Sequence, residues 1–210
     1  MKFTEFTAKQ SKLQNKALLG MSAQIKLAPS YREAMITEET KLQKPRAAAV
    51  LALFYPNQSG DTTFLLTKRA SYNGTHSAQI SFPGGKRETA DVSLSETALR
   101  EAFEEVGIPT AQVNIVKEMT ALYVPPSNFM ISPYLAFTEN RPNFVQNHEV
   151  AKIIEIPLMA LLDDNCLQSK NKTDKYGNEI IIPYFEFESN EVWGATAMIL
   201  SEIKELIKNL

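Results

Sequence analysis

The chain has 210 residues, and 44% of them are hydrophobic, which is enough to form the core of one globular domain. Its 22 basic residues nearly balance its 24 acidic residues, so the formal net charge is only −2. Such a balance gives no general electrostatic attraction to nucleic acid or to an anionic membrane. We therefore expect neither as a partner, and any phosphate-binding site must depend on local charge.

The cysteine content and the hydrophobic runs indicate the cellular compartment. Cys166 is the only cysteine, which excludes an internal disulfide, and residues 1–16 lack the apolar core of a signal peptide. No apolar run approaches the roughly 20 residues that are needed to cross a bilayer. These features predict a cytoplasmic protein.

The first 45 residues are predicted to form a helix and a linker. Between residues 3 and 19, apolar residues such as Phe6 and Leu13 recur at helical spacing, and Gly20 would end the helix. A polar stretch that contains prolines follows, so residues 46–210 would form the main domain. The helix could pack on its own domain or be exchanged in a homodimer, and its pattern leaves both possibilities open.

Two strands and a tight turn are predicted to begin the main domain. Residues 47–55 form an apolar run of the length of a buried strand, residues 56–63 are rich in turn formers, and residues 64–70 resume a strand. This pattern predicts a hairpin. A short strand over 79–82 would then lead into Gly84 and Gly85.

A well-delimited helix is predicted over 94–106. Ser93 is placed as its N-cap, Glu96 lies three residues later as in a capping box, and Gly107 would end the helix with a positive φ. This helix carries the acidic residues discussed below.

The remaining pattern decides the fold class. It predicts strands over 112–124, 130–138, 150–156 and 179–188, a short helix over 157–163 and a last helix over 195–208. Strands and helices alternate without the regular cadence of a doubly wound fold. We therefore predict an α/β chain of the α+β type, with a mixed β-sheet sandwiched between α-helices.

Three glutamates on the predicted helix indicate a metal site. Glu101, Glu104 and Glu105 lie at positions i, i+3 and i+4, so their carboxylates share one side of the helix. An acidic run alone is more often a solvated face. Here Arg100 can pair with Glu104, and Gly84 and Gly85 follow a strand and allow close approach of a ligand. Mg²⁺ prefers oxygen ligands and is often shared with substrate phosphates, so the combination predicts a metal and phosphate site.

This segment resembles the Nudix box. That motif consists of a glycine, a glutamate six residues later and then, after seven further residues, an R-E-x-x-E-E-x-G run. The positions that match are Gly85, Arg100, Glu101, Ala102, Glu104, Glu105, Gly107 and Ile108. The first half differs, because the stretch from Gly85 to Arg100 is one residue longer and Val92 stands in place of the first glutamate. Either Glu88 or Asp91 could take over the role of that glutamate.

Residues 65–85 are similar to the additional motif of coenzyme A pyrophosphatases within that family. The matching positions are Leu65, Leu66, Thr67, Arg69, Ala70, Phe82, Pro83, Gly84 and Gly85. Gly74 stands in place of the motif arginine, and Ala78 in place of a glycine. Further similarity lies within 123–137, 148–150, 155–162 and 192–203, so the resemblance covers roughly residues 46–205.

The resemblance implies a Nudix-type fold and a set of site residues. Glu101, Glu104 and Glu105 would bind Mg²⁺ or Mn²⁺, and either Glu101 or Glu149 would be the general base. The residues implied in substrate binding are Arg69, His76, Gln79, Gly84 and Gly85. The ordinary alternatives are a surface ion pair for Arg69, loop packing for His76 and Gln79, and an exposed strand start for Glu149.

Three functions remain open on this sequence. The first is hydrolysis of coenzyme A or its thioesters to adenosine 3′,5′-bisphosphate and a 4′-phosphopantetheine product. The second is hydrolysis of ADP-ribose or another nucleoside diphosphate derivative, with Lys68, Lys86 or Arg87 supplying the charge that residue 74 lacks. The third is a ligand-binding module without catalysis.

Overall fold

Strand β1, Arg46–Pro56, lies at the centre of the fold. The structure is a computed structural model that describes residues 1–32, 35, 44–70, 79–173 and 177–208. The helices are α1 (Phe3–Thr7), α2 (Gln10–Asn15), α3 (Met21–Gln24), α4 (Leu94–Val106), α5 (Leu158–Leu162) and α6 (Gly194–Lys208). The other strands are β2 (Thr62–Arg69), β3 (Ile80–Ser81), β4 (Gly84–Lys86), β5 (Asn114–Glu118), β6 (Leu122–Val124), β7 (Phe129–Phe137), β8 (Val150–Pro157), β9 (Leu167–Thr173), β10 (Glu179–Phe187) and β11 (Asn190–Trp193).

The main sheet is mixed. Its order is β3-β2-β1-β7-β5, and β4 also pairs with β1, β6 with β7, and β8 with β2. The β1–β7 pair is parallel, whereas β1 runs antiparallel to both β2 and β4. The pairing of Phe54 with Phe64 confirms the predicted hairpin. A second, antiparallel sheet has the order β11-β10-β9.

The main sheet is covered on both faces. Alternate residues of β1, such as Leu51 and Leu53, pack in one cluster with Ala98 and Ala102 of α4. The intervening residues, such as Phe54, pack in a second cluster that holds α6 and the N-terminal helices. Burial on both faces explains why the sequence of β1 is a nearly continuous apolar run. The predicted mixed sheet between helices is therefore confirmed.

Helix α4 begins after Ser93 and ends before Gly107, as the sequence predicted. The Ser93 hydroxyl accepts a bond from the Glu96 amide at 3.2 Å, and the Glu96 carboxylate accepts one from the Val92 amide at 2.8 Å. At the other end Gly107 adopts φ 73°, and its amide bonds the carbonyl of Phe103. These caps satisfy terminal amides and carbonyls that the helix itself leaves unpaired.

Two predicted elements are wrong in their extent, and three strands are missed. The helix predicted over 3–19 is divided into α1 and α2, because the Lys9 amide bonds the Phe6 carbonyl in a tightened last turn and Lys9 leaves helical geometry. The strand predicted over 112–124 is divided into β5 and β6. Strands β4, β9 and β11 were missed: β4 pairs with the distant strand β1, whereas β9 and β11 both pair with their neighbour in sequence, β10.

The N-terminal residues pack against the main sheet. Phe6 contacts Phe54, with 5.2 Å between the ring centroids, and the Phe3 amide donates to the Gly60 carbonyl at 2.9 Å. The boundary predicted at residue 46 stays a prediction. None of the helices in the described ranges is long and apolar enough to cross a membrane.

One buried carboxylate on α6 ties the N-terminal residues to the sheet. Glu202 accepts from the Gly20 amide at 2.8 Å, from the Thr120 hydroxyl at 2.6 Å and from the Gln24 side chain at 3.3 Å. Only 1% of Glu202 is exposed. Hydrogen bonds to a buried charge are stronger than those between neutral groups, so this residue anchors the chain that leads to Arg32.

We expect Glu202→Ala to lower the free energy of unfolding by about 3 kcal/mol, because several buried donors lose their acceptor. Glu205→Ala, one turn later on α6, removes a partly exposed ion pair with Lys26 and should cost less than about 1 kcal/mol. Urea denaturation measures both values. If both variants lost the same free energy of unfolding, the hydrogen bonds of Glu202 would not have the stabilising role described.

Candidate active site

Residues 84–91, the glycine turn, are joined to helix α4 by an ion pair between Asp91 and Arg100. Arg100 Nε lies 2.9 Å from Asp91 Oδ1, and its Nη2 lies 3.0 Å from Asp91 Oδ2. Asp91 also accepts from the Glu88 amide at 2.8 Å and from the Thr97 hydroxyl at 2.9 Å. The Arg100 bonds hold the pKa of Asp91 well below its usual range, and the Asp91 bond raises the pKa of Arg100.

This geometry chooses between the two residues that could replace the missing glutamate. Asp91 is buried and makes the contacts described above, whereas Glu88 is exposed and contributes its amide to Asp91. Val92, which occupies the motif position itself, is 80% exposed. Asp91 therefore supports the turn, one residue before the motif position.

Gly84 and Gly85 leave no room for side chains. Gly84 has φ 155°, and a Cβ there would lie 2.3 Å from the Ala49 carbonyl oxygen. A Cβ on Gly85 would lie 2.5 Å from the Glu101 carboxylate. The pairing of β4 with β1 thus brings a bare backbone against the acidic helix.

Glu105 is the most buried of the three predicted metal ligands. Its carboxylate accepts from the Gly84 amide at 3.3 Å and lies 3.6 Å from Arg69 Nη1. Burial raises the pKa of Glu105 to about 7, Arg69 and the Gly84 amide oppose this rise, and repulsion from Glu101 and Glu149 reinforces it. The site therefore favours a positive ligand near this carboxylate.

Glu101 and Glu104 both contact Arg100. Arg100 Nη1 lies 3.0 Å from Glu101 and 3.1 Å from Glu104, which confirms the predicted i,i+4 pair. Burial raises the pKa of Glu101. Glu104 is exposed, so its carboxylate is turned toward Arg100 and solvent, while Glu101 and Glu105 face the glycine turn.

The donor set suits a divalent cation, although no complete cluster is formed. In the ranges that the structure describes, no three His, Cys, Asp or Glu side chains converge as metal ligands. Glu101 and Glu105 nevertheless offer partly desolvated carboxylate oxygens whose mutual repulsion a cation would relieve. Binding through all three predicted ligands would require Glu104 to leave Arg100, so that ligand set stays a prediction.

The structure places two further predicted residues beside Glu105. Glu149 is exposed and lies 3.5 Å from Arg69 Nη2, so Arg69 bridges Glu149 and Glu105. The Gln79 carbonyl accepts from the Arg69 amide at 2.9 Å. His76, together with Gly74 and Ala78, lies outside the described residues. The roles of Arg69, Gln79 and Glu149 in binding or catalysis stay predictions.

A cavity of about 480 Å³ adjoins this cluster. Arg69, Gly84, Gly85 and Lys86 border it on one side. Its remaining wall is mostly apolar and is formed by segments distant in sequence, including Phe82, Val124, Pro125, Phe129, Ile131, Trp193, Met198 and Ile199. The size lies within the range of small-molecule pockets.

The N-terminal region also contributes to the cavity, which the sequence did not predict. Pro29, Tyr31, Arg32 and Met35 line it. No spacing or composition in this polar stretch marks these residues, since their position depends on contacts with α6 and β6. Trp193, the last residue of β11, also lines the cavity.

Comparison with known proteins gives matches over much of the chain. A model of the NUDIX domain family matches residues 44–176. The mitochondrial Nudix hydrolase 15 of Arabidopsis thaliana is 32% identical over 164 residues, which cover 75% of this chain and 57% of that protein. The uncharacterized Nudix hydrolase NudL of Yersinia enterocolitica is 34% identical over 149 residues, covering 70% of this chain and 75% of that protein.

Among solved structures, a MutT/nudix family protein from Enterococcus faecalis aligns with a TM-score of 0.53. The alignment covers 96% of this chain and 74% of that chain, at 15% sequence identity, and it therefore supports the fold alone. The chain spans little more than half the length of the Arabidopsis relatives that it matches.

We expect the two glycines of the turn to respond differently to alanine. Gly84→Ala should lower the free energy of unfolding by about 3 kcal/mol or more, because its Cβ meets the backbone of β1. Gly85→Ala should cost about 1 kcal/mol, since the Glu101 side chain can move away. Urea denaturation and a crystal structure of Gly85→Ala, with Glu101 displaced, test this. An unmoved Glu101 would contradict it.

Asp91→Asn should destabilise the protein by about 1–3 kcal/mol at neutral pH, because the charged bonds to Arg100 are lost. The pKa of Asp91 is depressed in the folded state, so its contribution is present above the ordinary aspartate pKa of about 3.9 and declines below it. The difference from wild type should therefore narrow as the pH falls below about 4. Glu88→Gln serves as control, and a pH-independent difference would refute this account.

Proposed function

The chain belongs to the NUDIX domain family, and we propose that it is a metal-dependent hydrolase of diphosphate linkages whose substrate is coenzyme A or one of its thioesters. The observation that carries this proposal is the close placement of the Glu101 and Glu105 carboxylates, the bare backbone of Gly84 and Gly85, and a cavity of about 480 Å³ beside them. A divalent cation bound by the two carboxylates would attract a diphosphate, and a pocket of this size suits a large substituent on it.

The similarity of residues 65–85 to the coenzyme A pyrophosphatase motif supports the choice of substrate. Within that stretch, Arg69 both lines the cavity and contacts Glu105 and Glu149, so an arginine that matches the motif lies at the carboxylate cluster. A guanidinium can bind two phosphate oxygens at once. We propose that Arg69 exchanges part of its contact with Glu149 for the substrate diphosphate.

The residues of the site have separable roles in the proposed reaction. Water attacks one phosphorus in line with the bridging oxygen, the bridging P–O bond breaks, and each of the two products keeps one phosphate of the diphosphate. Asp91 and Arg100 hold the turn and α4 in register, so that Glu101 stays against Gly85. A bound Mg²⁺ or Mn²⁺ ion would supply the positive charge that offsets the charge on the diphosphate oxygens.

The proton of the attacking water needs an acceptor, and two carboxylates remain candidates. Burial raises the pKa of Glu101, which favours proton acceptance by this carboxylate if it is free of a cation. Glu149 is exposed and contacts Arg69 at 3.5 Å, so we propose that it turns toward the substrate. Comparing the pH dependence of turnover in Glu101→Gln and Glu149→Gln distinguishes them.

A second candidate function is hydrolysis of ADP-ribose or another nucleoside diphosphate derivative. Gly74 stands in place of the motif arginine, so a different cation has to bind that part of the substrate. Of the three replacements suggested by the sequence, Lys86 borders the cavity, whereas Arg87 donates to the carbonyls of Asp91 and Val92. Lys86 is thus the replacement that this second function would use.

We expect Glu105→Gln to reduce turnover by at least about 100-fold while the protein remains folded, because a neutral amide binds a divalent cation poorly. Glu139→Gln changes an exposed glutamate and should leave turnover unchanged. Mass spectrometry of the products, after incubation with coenzyme A, ADP-ribose and diadenosine polyphosphates in Mg²⁺, Mn²⁺ or EDTA, provides the measurement.

The product pattern decides between the candidate functions. Metal-dependent release of 4′-phosphopantetheine would establish coenzyme A as a substrate. Cleavage restricted to the other compounds would favour the second function, and absence of any cleavage would favour a ligand-binding module. An unchanged rate for Glu105→Gln would refute the assignment of the metal site.

A further inference from the structure

Arg32 is a buried cation in the wall of the cavity. Only 8% of this residue is exposed, and it lines the cavity together with Tyr31. Nη2 donates to the Tyr123 carbonyl oxygen at 2.6 Å. That bond fixes the side chain against strand β6 and uses one of the five N–H donors of the guanidinium.

No carboxylate compensates this charge within the part of the chain that the structure describes. The ion pairs there involve other residues. Burial lowers the pKa of Arg32, which shows the same desolvation. A buried charge is costly unless it is paired and hydrogen-bonded, and an anionic group of a ligand would provide both kinds of contact.

The diphosphate itself cannot be that anion if it binds at the glycine turn. Strand β4 pairs with β1, β1 with β7, and β7 with β6, so the turn and Tyr123 are three strand spacings apart. Three spacings amount to about 14 Å. The Arg32 guanidinium and the contacts of a ligand at the turn span part of this backbone distance. An anion at Arg32 is therefore a second group, separated from the diphosphate by a spacer of about the size of a ribose.

We propose that the cavity holds the nucleotide half of the substrate and that Arg32 binds a phosphate monoester carried by that half. This inference rests on the proposed function, in which a diphosphate binds beside Gly84 and Gly85. The rings of Tyr31, Phe129 and Trp193 in the cavity wall give apolar surfaces for a base. A pantetheine or acyl arm is uncharged and would leave Arg32 uncompensated, so that arm extends outside the cavity.

Matched substrates test the role of Arg32 in turnover. Arg32→Met should raise the KM for coenzyme A about tenfold or more, because the bonds to its 3′-phosphate are lost. The KM for 3′-dephospho-coenzyme A and the kcat for both substrates should change little. Arg32→Lys keeps the charge and can still donate to Tyr123, so it should retain part of the preference.

Arg46→Met is the matched control for losing an arginine near the cavity. Arg46 is exposed, donates to the Ser127 carbonyl at 2.8 Å and lies over the Phe129 ring, but it does not line the cavity. Its removal should leave the substrate preference unchanged. Thermal melting of each variant shows whether a change in KM reflects loss of the fold.

Calorimetric binding of products separates this inference from the proposed activity. Wild type should bind adenosine 3′,5′-bisphosphate about tenfold more tightly than AMP, and Arg32→Met should remove that difference. If coenzyme A is not hydrolysed but this pattern holds, the proposed substrate fails and the role of Arg32 stands. The inference would be overturned if Arg32→Met lost affinity equally for the bisphosphate and AMP, or lost no affinity for either. Tighter binding of 4′-phosphopantetheine than of the bisphosphate would also overturn it.

Discussion

The pairing of β4 with β1 is the constraint on which the site depends. It places Gly84 against the backbone of β1, at distances that exclude any side chain, and Gly85 against the Glu101 side chain. Because β1 is buried on both faces, it cannot move to accommodate a larger residue. The centre of the core therefore fixes the position of Gly84 and Gly85, and with it the amide that contacts Glu105.

Charge in the site is distributed between two arginines that act on different carboxylates. Arg100 binds Asp91 with two bonds and holds Glu101 and Glu104 beside it, whereas Arg69 connects Glu105 with Glu149. The first arrangement is structural, since it joins the turn to α4. The second is made of longer contacts, of 3.5–3.6 Å, to Glu105 and Glu149.

The N-terminal residues connect the stability of the fold with the proposed specificity. Glu202 on α6 holds Gly20 and Gln24, and the chain then continues to Pro29, Tyr31 and Arg32 in the cavity wall. Arg32 lies outside residues 44–176, which match the family. In the proposed role it changes substrate preference and leaves the hydrolytic residues as they are. Substrate choice and hydrolysis would then depend on different parts of the chain.

The sequence by itself determined the features that depend on near neighbours. Helix α4 has its predicted limits because Ser93 and Gly107 act within one turn, and the i,i+4 spacing brings Arg100 to Glu104. Only the tertiary structure decided that Asp91, rather than Glu88, binds Arg100, and that Arg32 reaches the cavity. Those contacts depend on which face of a turn or strand is buried, and that choice is made by residues far away in the sequence.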